Sequence, residues 1–354
     1  MEQALSGIHH VTAIASDPQR NVAFYTQSLG LRLVKVTINY DDPTSYHLYY
    51  GDSLGRPGTI LTFFAWPGGQ RGRQGTGQAA VAAFTVPLAS LGHWMARLGA
   101  LGIKYEGPAA RFDEKVLTFR DPDGLALELV SHPDGADRPG WEGGPVPVEH
   151  AIRGIHNVTL WVDGDERTTA ALTLGMGLRE LAREGMTTRF AAGAGGPGAL
   201  VDVRDARGFW RGEVAVGTVH HVAWRTPDDA AQLAWRASLA AHGLRATQVM
   251  DRQYFHSIYY REPGGVLFEI ATDPPGFGTD EAPDQLGSDL RLPSWLESQR
   301  TLIAAGLPRL RLPSGAVIPL EREDEATSLA PAADNAPAAA ADARERPSDA
   351  ELKG

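Results

Sequence analysis

The chain of 354 residues has no cysteine. This excludes disulfides, zinc–thiolate sites, iron–sulfur clusters and a thiol nucleophile, and it fits a reducing compartment. No apolar run approaches the ~18 residues that suggest a membrane span. The first residues, M-E-Q-A-L-S-G-I-H-H, show no charged segment ahead of an apolar core. A cytoplasmic protein with no membrane partner is the expectation. Positive charge is also short. The formal net charge is -10, which argues against a nucleic-acid partner, since such proteins normally carry a basic face. Residues 321–354 hold nine acidic and four basic side chains, so five of the ten net negative charges lie there.

Glycine and proline, at 40 and 24 residues, are abundant and suit a turn-rich sheet architecture. With 43% hydrophobic residues the chain can build cores for two ordinary domains. One stretch organises the rest. It opens with T-V-H-H-V-A-W at Thr218 and closes with Y-Y-R-E-P-G-G-V-L-F-E-I-A-T-D at Asp273. Weaker copies precede it. G-I-H-H-V-T-A starts at Gly7 and G-I-H-N-V-T-L at Gly154, and the turn Arg120–Gly124 matches Arg261–Gly265. Strand and helix periodicities repeat in the same order each time, giving four units of roughly 50 residues.

The expected fold is α+β, with four βαβββ modules paired into two curved mixed sheets. Residues 1–133 form the first two modules, 134–153 a Pro/Gly-rich linker, and 154–275 the last two. Residues 276–320 form an extension with a short helix over Ser294–Ala305, capped by Ser294 with Trp295, Leu302 and Ile303 apolar. The Ala/Pro/acidic composition of 321–354 predicts disorder.

Aligning the modules by their own motifs places His10, Val81, Asn157 and His221 at one position. Glu128 and Glu269 share another, where the first and third modules offer only residues such as Thr62 and Asp202. A site shared by the first and fourth modules would then hold His10, His221 and Glu269. One shared by the second and third would hold Glu128 with Val81 and Asn157, a relic with its carboxylate paired to an arginine or partly exposed. Two imidazoles and one carboxylate on one face of a divalent metal leave positions for substrate and O₂, the donor set of a non-haem Fe(II) oxygenase. A lone strand His is more often structural. Two H-H-V doublets in equivalent places with a later Glu are a far rarer coincidence. Strand alternation sends the two His of each doublet to opposite faces, so one ligates, and position alone does not say which. His47, His132, His150 and His242 read as structural. His256 and Tyr259 lie on the strand before Glu269, where they could orient substrate or relay a proton.

These motifs, with Y-H-L-Y-Y-G-D, G-R-P-G-T-I-L-T-F-F and D-R-Q-Y-F-H-S-I-Y-Y-R-E-P-G-G, resemble the vicinal oxygen chelate superfamily, and more narrowly its hydroquinone ring-cleaving dioxygenases. The resemblance covers about Leu5 to Pro313. It implies a mononuclear Fe(II) on His10, His221 and Glu269, with Mn(II) or another divalent ion able to use the same donors. It implies that His9, His220 and Tyr259 border the pocket as catalytic groups and that Arg252 meets the substrate; Thr12 and His256 are expected as further substrate-binding residues. The implied partners are a small aromatic para-diol and O₂, with the ring opened beside a metal-bound hydroxyl; self-association stays open. A catechol dioxygenase or a glyoxalase-type isomerase on the same fold is the alternative, and a metal-free sequestering protein a further one.

Overall fold

The computed structural model describes residues 5–319. The predicted disorder of 321–354 therefore lies outside the described residues.

Each module runs strand, helix, three strands. The first comprises β1 (Ile8–Ala15), α1 (Pro18–Ala23), β2 (Arg32–Ile38), β3 (Tyr46–Gly51) and β4 (Ile60–Ala65). The second comprises β5 (Gln78–Pro87), α2 (Leu91–Ala100), β6 (Tyr105–Arg111), β7 (Glu114–Arg120) and β8 (Ala126–His132). The third comprises β9 (Ile155–Val162), α3 (Glu166–Ala170), β10 (Arg179–Glu184), β11 (Thr187–Ala191) and β12 (Leu200–Asp205). The fourth comprises β13 (Val219–Thr226), α4 (Asp229–Ala241), β14 (Met250–Asp251), β15 (Phe255–Arg261) and β16 (Leu267–Pro275). The α+β class with four βαβββ modules in two curled mixed sheets is what the structure has.

The modules pair across the chain. One eight-stranded sheet has the order β14-β15-β16-β13-β1-β4-β3-β2, and the other β10-β11-β12-β9-β5-β8-β7-β6. The first and fourth modules thus share one sheet, and the second and third the other. The glycines of the G-I-H repeats explain themselves at the junction. Gly7 and Gly154 have φ of +128° and +104°, and a Cβ on either would meet a carbonyl oxygen of Gly198 or Gly58 at 2.6 or 2.8 Å. Only glycine fits that backbone against its neighbour.

Local sequence sets the helices. Asp228 accepts from Ala231 N at 2.8 Å and starts α4. In α2, Leu91, Trp94 and Leu98 are buried at the predicted spacing, each burial stabilising by roughly 1.5–3 kcal/mol. Leu101, the next apolar residue at that spacing, is exposed because the helix ends at Ala100. The sequence after α2 reads as one strand over Arg111–Phe119. Two strands are present, joined by a turn at Phe112 and Asp113 with positive φ. The first of them, β6, is mostly exposed and carries Gly107-Pro108, so it lacks the apolar alternation of a strand.

The extension is also shorter in helix than its sequence suggests. The helix α5 covers Arg300–Gly306, so Ser294 does not cap it. Ile303 is buried, whereas Trp295 and Leu302 are exposed. What fastens the extension is a buried cation. Lys35 on β2 donates to Asp280 Oδ1 at 2.6 Å, to Phe277 O at 3.2 Å and to Glu281. Arg291 N donates to Val36 O at 2.9 Å, so the extension also covers the edge strand β2.

Candidate metal centre

The register of the strands repeats in all four modules. Thr12 pairs with Thr62, Ala83 with Glu128, Thr159 with Asp202 and Ala223 with Glu269. The residue two positions before the first member of each pair is His10, Val81, Asn157 or His221. The alignment drawn from the motifs is therefore the register of the fold. Because β1 lies beside β13, His10, His221, Thr62 and Glu269 fall on one concave face.

Three of these four converge. His221 Nε2 lies 2.9 Å and His10 Nε2 3.4 Å from Glu269 Oε2, and the two Nε2 atoms are 3.4 Å apart. All three residues are buried. Glu269 Oε1 accepts from Ser257 Oγ, but Oε2 has no hydrogen bond of acceptable geometry. Burial by itself would raise the Glu269 carboxyl; His10 and His221 more than offset this and hold it well below the usual carboxylate range. Burial, despite Glu269, lowers His221 below its ordinary value. A buried, ionised carboxylate oxygen with no hydrogen-bond partner, facing two ring nitrogens, is costly unless a cation joins them. The donors fit a divalent metal.

The doublets orient the ligands. His9 Nδ1 is 2.9 Å from His10 Nδ1, and His220 Nδ1 is 2.8 Å from His221 Nδ1. A proton held between each Nδ1 pair, on the ligand's nitrogen, turns the ligand's Nε2 lone pair to the centre. Simple alternation would have parted these neighbours. It fails because the β1–β13 pairing slips between Ile8 and His10 and again between Thr12 and Ala13, and such bulges re-aim side chains. The two doublets then differ. His220 lines the cavity, with burial and the His221 charge pushing it down to about 3. His9 does not line it: it is enclosed beside Phe255, 5.1 Å between ring centroids, and burial lowers it well below its ordinary value. The expectation that both border the pocket is corrected for His9.

A cavity of about 300 Å³ opens in front of the three ligands, at the lower end of the range for small-molecule sites. Tyr259 and Arg252 line it as expected. Arg252 Nε donates to the Tyr259 hydroxyl at 3.1 Å, and its Nη atoms bond Asp41 at 2.9 and 3.2 Å. Burial raises the Tyr259 phenol above its ordinary value against the opposing Arg252 charge. Thr12 is buried behind this surface, accepting from Thr62 Oγ1 at 2.9 Å. His256 is not brought to the site. It alternates away from Ser257 and Tyr259 and meets Asp229 on α4 at 2.6 Å, which corrects its assignment to substrate.

His47, which reads as structural in the sequence, has a different place in the structure. It lines the cavity, with Nε2 2.7 Å from Thr62 Oγ1 and Nδ1 2.9 Å from the Tyr49 hydroxyl. Burial, then the charges of His10 and His221, lower it well below its ordinary value. A signal existed. The Y-Y doublets of H-L-Y-Y at His47 and S-I-Y-Y at Ser257 align as internal repeats, which matches His47 with Ser257 and Tyr49 with Tyr259.

Among the described residues the other sheet has no such centre. Arg111 bonds Glu128 at 2.9 and 2.6 Å, and Arg189 bonds Asp202 at 2.7 and 2.9 Å and Glu114 at 2.7 Å. Guanidinium groups supply the positive charge there, and Glu128 is paired with an arginine as its motif suggested.

Paired βαβββ modules around a His/His/Glu centre define a class of metalloprotein with an open cavity. The chain belongs to the Glyoxalase/Bleomycin resistance protein/Dioxygenase superfamily, whose family model matches residues 7–129 and 154–270. It is 44% identical to MhqO of Bacillus subtilis (strain 168), provisionally named a ring-cleaving dioxygenase, over 87% of this chain and 97% of that protein. It is 34% identical to a chlorohydroquinone/hydroquinone 1,2-dioxygenase of Sphingobium indicum, over 84% and 94%. A crystal structure of a provisionally named dioxygenase from Bacillus subtilis superposes with a TM-score of 0.82 at 43% identity, over 87% and 98%. Glyoxalase I of Zea mays shares the fold at a TM-score of 0.56 and 16% identity, over 75% and 92%. Among the described residues no helix is long and apolar enough to cross a membrane.

Proposed function

We propose that the chain is an Fe(II)-dependent ring-cleaving dioxygenase acting on para-diol aromatics of the hydroquinone type. The observation that carries the reading is the fourth register position. Thr62 stands where Glu269 stands in the paired module, so His10, His221 and Glu269 would hold a metal with no fourth side-chain ligand from Thr62. The likeness to ring-cleaving relatives over nearly their whole lengths supports the same reading. A glyoxalase-type isomerase is disfavoured by the missing carboxylate at Thr62.

Bound iron would bring an ionised ring hydroxyl and O₂ together and allow charge to pass between them. The chain's own residues do the rest. Phe64, Phe255 and Tyr49 line the cavity as aromatic walls for a ring. Tyr259 stays protonated, because burial raises it, and presents a hydroxyl donor held in place by Arg252. Burial keeps His47 and His220 neutral at physiological pH, so both line the cavity as uncharged imidazoles. The buried wall behind His10 excludes water from the ligand side.

Anaerobic loading with Fe(II), followed by O₂ uptake with hydroquinone, methylhydroquinone and catechol, tests the reading. Uptake with the para-diols, abolished in His10→Ala and Glu269→Gln, is expected. Uptake confined to catechol would move the substrate class, and none with any diol on the iron-loaded protein would overturn the proposal. Mn(II) loading in parallel shows whether another divalent ion serves.

A further inference from the structure

The same connection in two paired modules supplies the two ends of one ion pair. The first module joins β2 to β3 through residues 39–45, and the fourth joins β14 to β15 through residues 252–254. Asn39, Tyr40 and Asp41 from the one, and Arg252 from the other, line the cavity that the metal ligands also line. Arg252 Nη2 donates to Asp41 Oδ2 at 2.9 Å, and Nη1 to Asp41 Oδ1 at 3.2 Å. The guanidinium fork thus meets both carboxylate oxygens. Its Nε is left for the Tyr259 hydroxyl at 3.1 Å, and its carbon stands 5.3 Å from the centre of the Tyr259 ring. A guanidinium donates and never accepts, so the phenol oxygen takes this bond and the phenol proton points away from Arg252.

Both ends are braced. Asp41 N donates to Asn39 Oδ1 at 3.1 Å, and Asn39 N to Ser45 O at 2.9 Å. The Tyr40 ring meets Trp295 of the extension, 5.8 Å between centroids. On the other side Arg252 N donates to Phe255 O at 3.0 Å, and Gln253 N to Asp251 Oδ1 at 2.7 Å. The Tyr254 hydroxyl donates at 2.9 Å to Asp280, the carboxylate that Lys35 also holds. The extension therefore backs both connections. The Asp41 side chain is 35% exposed, and a pair that open adds little to folding stability. What it fixes is direction: with both Nη atoms held, Nε has one place to point.

We propose that Asp41 is a positioning residue of the site, clasping Arg252 so that Nε holds the Tyr259 hydroxyl in the cavity. Arg252 is then an arm between Asp41 and Tyr259 rather than a charge offered to the ligand. The catalytic consequence rests on the ring-cleaving reading; the clasp does not.

Steady-state O₂ uptake on the iron-loaded full chain tests the role. In Asp41→Asn, kcat for hydroquinone should fall about 10- to 100-fold, with KM held within about twofold. Tm should hardly move. Tyr259→Phe should lower kcat as well, and adding Asp41→Asn to it should cost nothing more, because the two act through one hydroxyl. Asp41→Glu, which keeps the charge, should retain part of the rate. An unchanged kcat in Asp41→Asn, a rise confined to KM, or an equal further loss in the Tyr259→Phe background overturns the proposal.

A second measurement needs no turnover. In the Zn(II)-loaded chain the Arg252 Nε–H resonance, assigned by its absence in Arg252→Lys, should exchange slowly with water, and in Asp41→Asn it should exchange fast. Slow exchange that survives Asp41→Asn removes the clasp, whatever the activity. Loss of protection without O₂ uptake by any diol on the unaltered iron-loaded chain keeps the clasp and removes the dioxygenase.

Discussion

Tyr49 and Tyr259 occupy the same register position on either side of the β1–β13 seam. Tyr49 pairs with Thr62, and Tyr259 with Glu269. Their neighbours two residues earlier, His47 and Ser257, follow the same rule, pairing with Phe64 and Ala271. One half of the sheet uses these positions to hold a ligand: Ser257 supports Glu269. The other half uses them to build a wall without a ligand, with His47 on Thr62. Pseudo-symmetry places the groups, and the differences between the halves leave the site open on one side.

The ligand set is testable apart from catalysis. Addition of Mn(II) at about a hundred times its Kd should stabilise the protein by about 2.7 kcal/mol, seen as a rise in Tm. In His10→Ala and Glu269→Gln that rise should vanish. A full shift in either variant would place the metal elsewhere.

Ser257→Ala removes the hydrogen bond to Glu269 Oε1. Metal affinity should fall about 10- to 100-fold, as for other groups that orient a ligand. Folding stability of the metal-free protein should fall by about 1.5–3 kcal/mol, because the lost bond is to a charged group. Metal titration alongside urea unfolding checks both.

His47→Gln keeps a polar side chain of similar reach beside Thr62 and Tyr49 but cannot take up a proton. Metal content should stay that of the unaltered protein, while turnover falls by about 10²-fold. A loss of metal together with turnover would make His47 a structural support instead.

Glu114 gives a pH signature in the sheet without the metal centre. Burial would raise its carboxyl, but His156 at 2.9 Å and Arg189 at 2.7 Å outweigh this and lower it to about 2 from 4.5. A carboxyl depressed in the folded state stabilises above its unfolded value, and that stability is lost as pH falls from 4.5 towards 2. With screening of the partly exposed group allowed for, the loss should be about 1–2 kcal/mol. Glu114→Gln should flatten the stability profile through that window, measured by denaturant unfolding at each pH.

Arg189 can be tested by removal and by replacement of its partner. Arg189→Leu leaves Asp202 and Glu114 without their shared cation and should cost about 3–5 kcal/mol. Adding Asp202→Leu should recover much of that loss. Urea midpoints for the single and double variants measure it.

The sequence by itself determined the four modules, their element order and the triad of His10, His221 and Glu269. Those features are repeated within the chain, and each module carries its own register, so comparing one copy with another locates equivalent positions before any folding is known. Strand β6 escaped because its residues face solvent and carry no apolar alternation. Only the tertiary structure decided which side chains share the cavity. His10 and His221 meet because β1 lies against β13, 211 residues away. Bulges in that pairing turned His220 to the cavity and shut His9 behind it, and alternation along β15 sent His256 to α4. Local periodicity is a property of a segment. The company a side chain keeps depends on strand order in space, and no single segment encodes that.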